Sequence, residues 1–367
     1  MKGVASTCDV THNAGDSDMK KHLIDRAVSH SPKPFGKLML LLGLGALAVS
    51  GTPAFAADWK PTHPINLIVP WAAGGATDQV TRIAAAEMEK ALGQTIVIVN
   101  QPGASGSIGT KSALDAPRDG YTWTAGALQD LGSYETQGML KTRLKDWHLF
   151  LSVANIPVLS VNPQTPYKTT QDLIKAMAAQ PGKISVATAG ITSSGHMAID
   201  QFASAAKVTY RHVSYDGGSP AVVATVAGET DATSQLAAEE ADMIRGKLLR
   251  PLATISNQPL VLAGYGTIPA LSQTLPGFSA PANYTGIFIP NGVPDNVVAT
   301  VEKIWSTTIA NSAALRTFAE SRGALFTPID GDAAQKAAFP AVQANAWMLF
   351  RTGKAKVSPD TVGIPAP

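Results

Sequence analysis

The residues best suited to chemistry sit in two short segments, each between a strand-like run and a helix-like one. The first is Pro70-Trp71-Ala72-Ala73-Gly74-Gly75-Ala76-Thr77-Asp78. Its paired glycines allow a tight turn with exposed N–H groups. Thr77 or Asp78 can cap the helix that follows, and a helix start with free N–H groups attracts an anion. The same residues equally suit a capped strand-to-helix turn with no ligand. The Asp78 carboxylate disfavours direct contact with an anion, so its expected work is to cap, orient or hold water. The second segment is Gly190-Ile191-Thr192-Ser193-Ser194-Gly195-His196. Three hydroxyls and several N–H groups at one helix start make a good carboxylate cradle.

Other chemistries fit less well. The nucleophile elbow G-x-S-x-G is not matched, because no glycine stands two residues before Ser193 or Ser194. His196 can be imagined as a base for either serine, but the sequence offers no acid partner, and a packing or hydrogen-bonding histidine is the favoured alternative. H-E-x-x-H is absent, and His63, His148, His196 and His212 show no ligand pair at helical spacing, so no metal is expected. Gly103, Gly106 and Gly109 follow a strand with spacing GxxGxxG, which is not the dinucleotide fingerprint, and no P-loop motif occurs. No cofactor is expected. In Tyr215-Asp216-Gly217-Gly218-Ser219-Pro220, a strand ends and a helix opens; Tyr215 can wall a cleft or simply pack.

Alternating strands and helices must position these segments. Ile65–Val69, Thr95–Val99 and Tyr121–Ala125 read as strands, with helices over Asp78–Leu92 and Ser107–Ala116. The pattern restarts after Asn155, with strands at 157–161, 184–187, 210–213, 231–236 and 250–255. Helices read over 170–180, 195–206, 219–227 and 237–246. A strand at 285–289 leads to helices at 295–310, 313–322 and 333–350. Continuous apolar strands with helical crossovers predict parallel sheets covered on both faces. The class is α/β, in two units joined near 156 and 284, with a ligand cleft between them at strand C-termini.

Length and charge bound the rest. The chain has 367 residues, formal net charge +2 and one Cys. Leu38–Ser50 is an apolar run of 13 residues, preceded by Lys33 and Lys37 and followed by Ala54-Phe55-Ala56. That order predicts a signal peptide cut near Ala56-Ala57, behind an N-terminal extension with a plausible start at Met19. The run is shorter than the roughly 20 residues of a membrane span. Residues 57–367 then carry 23 basic and 23 acidic residues and no Cys, since Cys8 lies in the leader. Cys nucleophiles and Cys-ligated metals are excluded, and a neutral surface argues against nucleic acid.

Taken together, the segments resemble the periplasmic solute-binding proteins of tripartite tricarboxylate transporters, the TctC or Bordetella-uptake-gene (Bug) type. The matching residues begin with Ile68-Val69-Pro70, Gly74-Gly75, Asp78 and Arg82, then Asn100, Pro102-Gly103-Ala104, Gly106 and Gly109. Asp119-Gly120-Tyr121-Thr122, Ser193-Ser194-Gly195-His196, Tyr215, Gly217-Gly218 and Pro220-Ala221 follow in order. Gly228-Glu229, Asp231, Leu275-Pro276-Gly277-Phe278 and Pro290-Asn291-Gly292-Val293-Pro294 complete the set. The resemblance implies a two-domain, type II periplasmic binding fold, with residues 57–156 plus 285–367 in one domain and 157–284 in the other. It also implies that Gly74–Asp78 and Thr192–Ser194 hold a ligand carboxylate from opposite domains. The implied ligand-binding set is Trp71, Ala73, Gly74, Gly75, Ala76, Thr77, Asp78, Ala125, Thr192, Ser193, Ser194, His196 and Tyr215. Asp216 stands where the family pattern commonly has a basic residue, which would disfavour a multiply charged anion if it faces the cleft.

The function so implied is a monomeric periplasmic receptor and not an enzyme. It would capture a small organic carboxylate by domain closure and deliver it to the membrane subunits of a tripartite transporter. The alternative is a binding protein that reports its ligand to a sensor kinase.

Overall fold

The computed structural model describes residues 58–367; the leader, its cut and the start at Met19 lie outside the described residues. β1 (Ile65–Val69) is buried at four of its five positions, as a central strand must be. α1 (Ala76–Leu92) turns Val80, Ala84 and Met88 inward and stops at Gly93, which adopts φ 65°. β2 (Ile96–Asn100), α2 (Ser107–Asp115) and β3 (Thr122–Ala127) complete a parallel run in which β1 pairs with both neighbours. α3 (Leu128–Ser133) follows, and β4 (Trp147–Asn155) then passes through Ile156 directly into β5 (Pro157–Val161).

From there the chain builds a second sheet. α4 (Thr170–Ala179), β6 (Ser185–Thr188), α5 (Ser194–Ala206), β7 (Arg211–Ser214) and α6 (Gly218–Ala227) alternate. β8 (Ala232–Leu236), α7 (Ala237–Arg245) and β9 (Arg250–Thr254) close it. A small hairpin of β10 (Leu260–Leu262) and β11 (Gly266–Ile268) and a turn of helix, α8 (Leu271–Thr274), cover one end. β12 (Asn283–Pro290) returns to the first sheet, followed by α9 (Asp295–Thr307), α10 (Ala313–Arg322), β13 (Ala324–Asp330) and α11 (Gly331–Arg351). The first sheet has the order β13-β4-β12-β3-β1-β2 and the second β7-β6-β8-β5-β9.

The fold is the expected α/β class with two sheets flanked by helices, but neither sheet is wholly parallel. β12 runs antiparallel to both β3 and β4, and β5 antiparallel to both β8 and β9. The reason lies in the connections: β5 follows β4 with a single residue between them, and β12 re-enters from the opposite direction, so neither has a helical crossover to reset its sense. Two strands of the first sheet were not anticipated. β4 (WHLFLSVAN) is an apolar run buried on both faces, which periodicity alone cannot assign. β13 lies at the sheet edge, carries Pro328 and breaks register between Phe326 and Ile329.

Both faces of each sheet are packed. Trp123, Phe150 and Trp305 fill one side of the first sheet, and Leu128, Tyr134 and Trp147 the other. Val186, Ile199 and Phe202 fill one side of the second, and Val158, Ile244 and Leu262 the other. Each such side chain contributes about 1.5–3 kcal/mol by leaving water. These cores make rigid mounts for the turns at the strand ends. Among the described residues, no helix is long and apolar enough to cross a membrane.

Candidate functional site

The turn between β1 and α1 is braced from within. Asp78, 3% exposed, accepts hydrogen bonds from Gly74 N–H at 2.9 Å, Asn100 Nδ2 at 2.9 Å and Arg82 Nε at 3.0 Å. Asn100 also donates to the Trp71 carbonyl at 3.1 Å. Burial by itself would raise the Asp78 carboxyl, but the bonds from Arg82, Gly74 and Asn100 outweigh it and hold the group below its ordinary range. Asp78 therefore orients the turn, while neither it nor Thr77 caps α1. Gly75 is the N-cap residue and offers no side chain. The cap comes from the second sheet: Glu239 Oε1 accepts from Ala76 N–H at 3.0 Å, across 163 residues of sequence.

The turn between β6 and α5 has a different lock. Ser193 Oγ accepts from His196 N–H at 3.2 Å and donates to the Gly190 carbonyl at 2.8 Å. Thr192 Oγ1 donates to the Ser105 carbonyl at 3.3 Å, and Ser105 Oγ accepts from Ile191 N–H at 3.1 Å, which ties this turn to the first sheet. Gly195 allows α5 to lie against β8, since a Cβ there would stand 2.0 Å from the Ser234 carbonyl oxygen.

These turns enclose a cavity of about 30 Å³. Trp71, Gly75, Thr77, Ala127 and Asp130 line it from the first sheet. Ser193, Ser194, Gly218, Leu236 and Glu239 line it from the second, with Ala189, Gly195 and Gln235 between them. Four helices of nine or more residues begin at this wall: α1 after Gly75, α5 after Ser193, α6 at Gly218 and α7 after Leu236. Each start carries N–H groups without intrahelical acceptors and the positive end of a dipole. Among the described residues, no Lys, Arg or His lines the cavity.

Two carboxyl groups do line it. Asp130 is 3% exposed, and Trp71 Nε1 donates to its Oδ2 at 3.2 Å. Burial pushes the Asp130 carboxyl up to about 8, only partly offset by the Trp71 indole and the nearby Ala127 N–H. Burial also raises Glu239, against the N–H groups of Ala76 and Leu236. Ser194 Oγ is buried with no hydrogen-bond partner, and so is Asp130 Oδ1.

Of the residues singled out from sequence, Trp71, Gly75, Thr77, Ser193 and Ser194 meet at this cavity. Ala76 stands directly behind it through its N–H on Glu239, and Thr192 through its bond to Ser105. Ala73 and Gly74 are exposed, and Ala125 is buried in β3 two residues before the lining Ala127. Tyr215 lies away from the cavity, with its hydroxyl 3.4 Å from Glu229 Oε2. Asp216 is exposed and engages the first sheet through its carbonyl, which accepts from Ala72 N–H at 3.2 Å. His196 points away from both serines: its Nδ1 meets the Ile191 carbonyl, its Nε2 lies 3.6 Å from Asp200 Oδ2, and its ring stacks on His212 at 4.2 Å. Asp130 and Glu239 were not foreseen. The one sequence signal for them is an acidic residue in the first turn of α3 and of α7.

Two mixed sheets with helix starts facing a shared cavity define the class: a two-domain fold of the periplasmic binding type. The family model for the tripartite tricarboxylate transporter family receptor, TctC, matches residues 80–350. The chain belongs to this family, whose members are binding receptors and not enzymes. A Pseudomonas sp. protein encoded in the tcbD-tcbE intergenic region is 33% identical over 272 residues, 72% of this chain and 79% of its own. MatC from Rhodopseudomonas palustris with bound malate superposes with TM-score 0.69 at 25% identity, covering 79% of this chain and 98% of its own. An R. palustris protein with adipate gives TM-score 0.71 at 23% identity, covering 81% and 99%.

Proposed function

We propose that this chain is a periplasmic receptor that closes on a small organic carboxylate and hands it to the membrane subunits of a tripartite transporter. The observation that carries the proposal is the convergence of four helix starts from both sheets on one cavity that, among the described residues, no Lys, Arg or His lines. Each helix end contributes about 0.3–1 kcal/mol toward an anion, more when shielded from water. The malate and adipate held by the two R. palustris proteins support the choice of ligand class.

Residues 57–156 with 285–367 would form one lobe and 157–284 the other, with the second boundary moved to Asn283 where β12 begins, and hinges where the chain crosses at Ile156 and before Asn283. In support, the cavity measures only about 30 Å³, room for little more than a water molecule, which suits walls that part to admit a ligand. Gly75, Thr77, Ser193 and Ser194 are the residues we assign to the carboxylate. The exposed Asp216 side chain does not count against a dianion.

A thermal-unfolding screen of the purified protein against mono-, di- and aromatic carboxylates tests this. A ligand at 100 times its Kd stabilises by about 2.7 kcal/mol. A panel of carboxylates that leaves the midpoint unmoved would overturn the carboxylate assignment.

A further inference from the structure

Glu239 fills part of the cavity with a carboxylate of the protein's own. Its Oε1 accepts from Ala76 N–H, the first of α1, at 3.0 Å, and its Oε2 accepts from Leu236 N–H at 3.3 Å. With its amide turned to receive Ala189 N–H, Gln235 adds a third donor, 2.9 Å from Oε2. The start of α6 stands just as close: a Cβ at Gly218 would lie 2.1 Å from Oε1, and one at Gly75 3.1 Å from it. The carboxylate thus sits where α1, α6 and α7 begin, a setting that suits any carboxylate. Its neighbour Glu240 is fully buried and locked by Ser160 Oγ and Gln235 N–H. Glu239 is only partly buried, so its side chain keeps a way out to solvent. The same cavity is lined by Ser194, whose Oγ is buried without a hydrogen-bond partner.

Resting on the carboxylate reading above, we propose that Glu239 is an internal competitor for the site: its carboxylate holds the start of α1 in the ligand-free molecule, and the ligand's carboxylate displaces it. Glu239 then sets the affinity by opposing it. Each binding event must give up the bond from Ala76 N–H and move a like charge aside before the ligand gains the same donors. The small volume of the cavity agrees with this, since the Glu239 side chain takes up room beside Gly75 and Gly218. Its departure frees that room between α1 and α6, while the bonds from Thr192 to Ser105 and from Ala72 to Asp216 still join the two sheets. A purely structural cap predicts the reverse: loss of Glu239 would loosen α1 and weaken binding.

Calorimetric titration of the purified parent, Glu239→Gln and Glu239→Ala with propionate, succinate, malate and adipate tests the proposal. Glutamine can still accept from Ala76 N–H, as a neutral and weaker competitor, whereas alanine cannot. For an acid that binds, Glu239→Ala is expected to hold it about tenfold or more tightly than the parent, a difference of about 1.4 kcal/mol, with Glu239→Gln in between. The unfolding transition of each variant reports whether it is folded, and its midpoint should fall in Glu239→Ala as the cap of α1 is lost. Equal or weaker binding by folded Glu239→Ala would overturn the proposal and leave the carboxylate reading standing. So would equal tightening in the two variants, which marks the removed charge alone as the cause. If Glu239→Ala does not fold, binding by Glu239→Gln no tighter than the parent's overturns the proposal in its place. No binding of any of the four acids by any of the three proteins would overturn the carboxylate reading and this proposal together.

Discussion

Asp78 and Glu239 both bring a carboxylate to the start of α1, and their surroundings give them opposite electrostatics. Asp78 receives three donors and stays ionised. Its stabilising contribution is present above the ordinary value of 3.8 and is lost as pH falls through the lower folded value. Asp78→Asn is expected to destabilise the protein by about 1–3 kcal/mol at neutral pH. Urea unfolding checks this, and the gap to the parent should close below about pH 4. The stacked pair His196 and His212 loses stability in the same direction, but by staying neutral when folded. Burial, and then the neighbouring His196, push His212 down to about 4, with Asp200 opposing and Lys354 adding to the depression; Tyr210 packs edge-on against the ring. The unfolded chain therefore binds more protons between about pH 6.5 and 4, and stability falls as pH drops through that window. His212→Gln should flatten the pH profile of the unfolding midpoint there; an unchanged slope would remove His212 from the account.

At the scale of elements, the helix starts matter more than the helices. Ser193 caps α5 through His196 N–H, so Ser193→Ala should cost about 0.5–2 kcal/mol in denaturant unfolding. The two turns were legible in sequence because their chemistry is local: paired glycines, clustered hydroxyls and a following apolar stripe. Strands β1, β2, β3 and β5 to β9 were legible for the same reason. β4 was not, because burial on both faces erases the alternation that marks a strand, and β13 was not, because Pro328 and a register break interrupt it. The antiparallel insertions depend on where the chain crosses between sheets. Glu239 as the cap of α1 was invisible because its partner lies 163 residues away. Asp130 was not legible because α3 itself was not read from the sequence, and only burial and the Trp71 indole give the side chain a cavity to face.

On the scale of the whole molecule, the two sheets are tied by bonds at the rim of the cavity and beyond it. Ala76 to Glu239, Ala72 to Asp216 and Thr192 to Ser105 lie at the rim; Gln201 to Asn345 and Lys354 to Asp200 lie on the outer face. Under the proposed closure, opening would break several of these together, and a bound ligand would favour their re-forming. Small-angle scattering should therefore show a smaller radius of gyration with saturating ligand than without it; equal radii would argue against closure. The most direct test of the central claim is calorimetry of the best-binding carboxylate on the parent and on Ser194→Asp. An acidic residue suits the first turn of α5, so the helix should still form at some cost in stability, but it sets a third carboxylate in a cavity that already holds Asp130 and Glu239. A weakening of about 100-fold, roughly 2.7 kcal/mol, in protein that still unfolds cooperatively is the predicted result. Equal affinity in the two proteins would contradict the placement of the ligand at these helix starts.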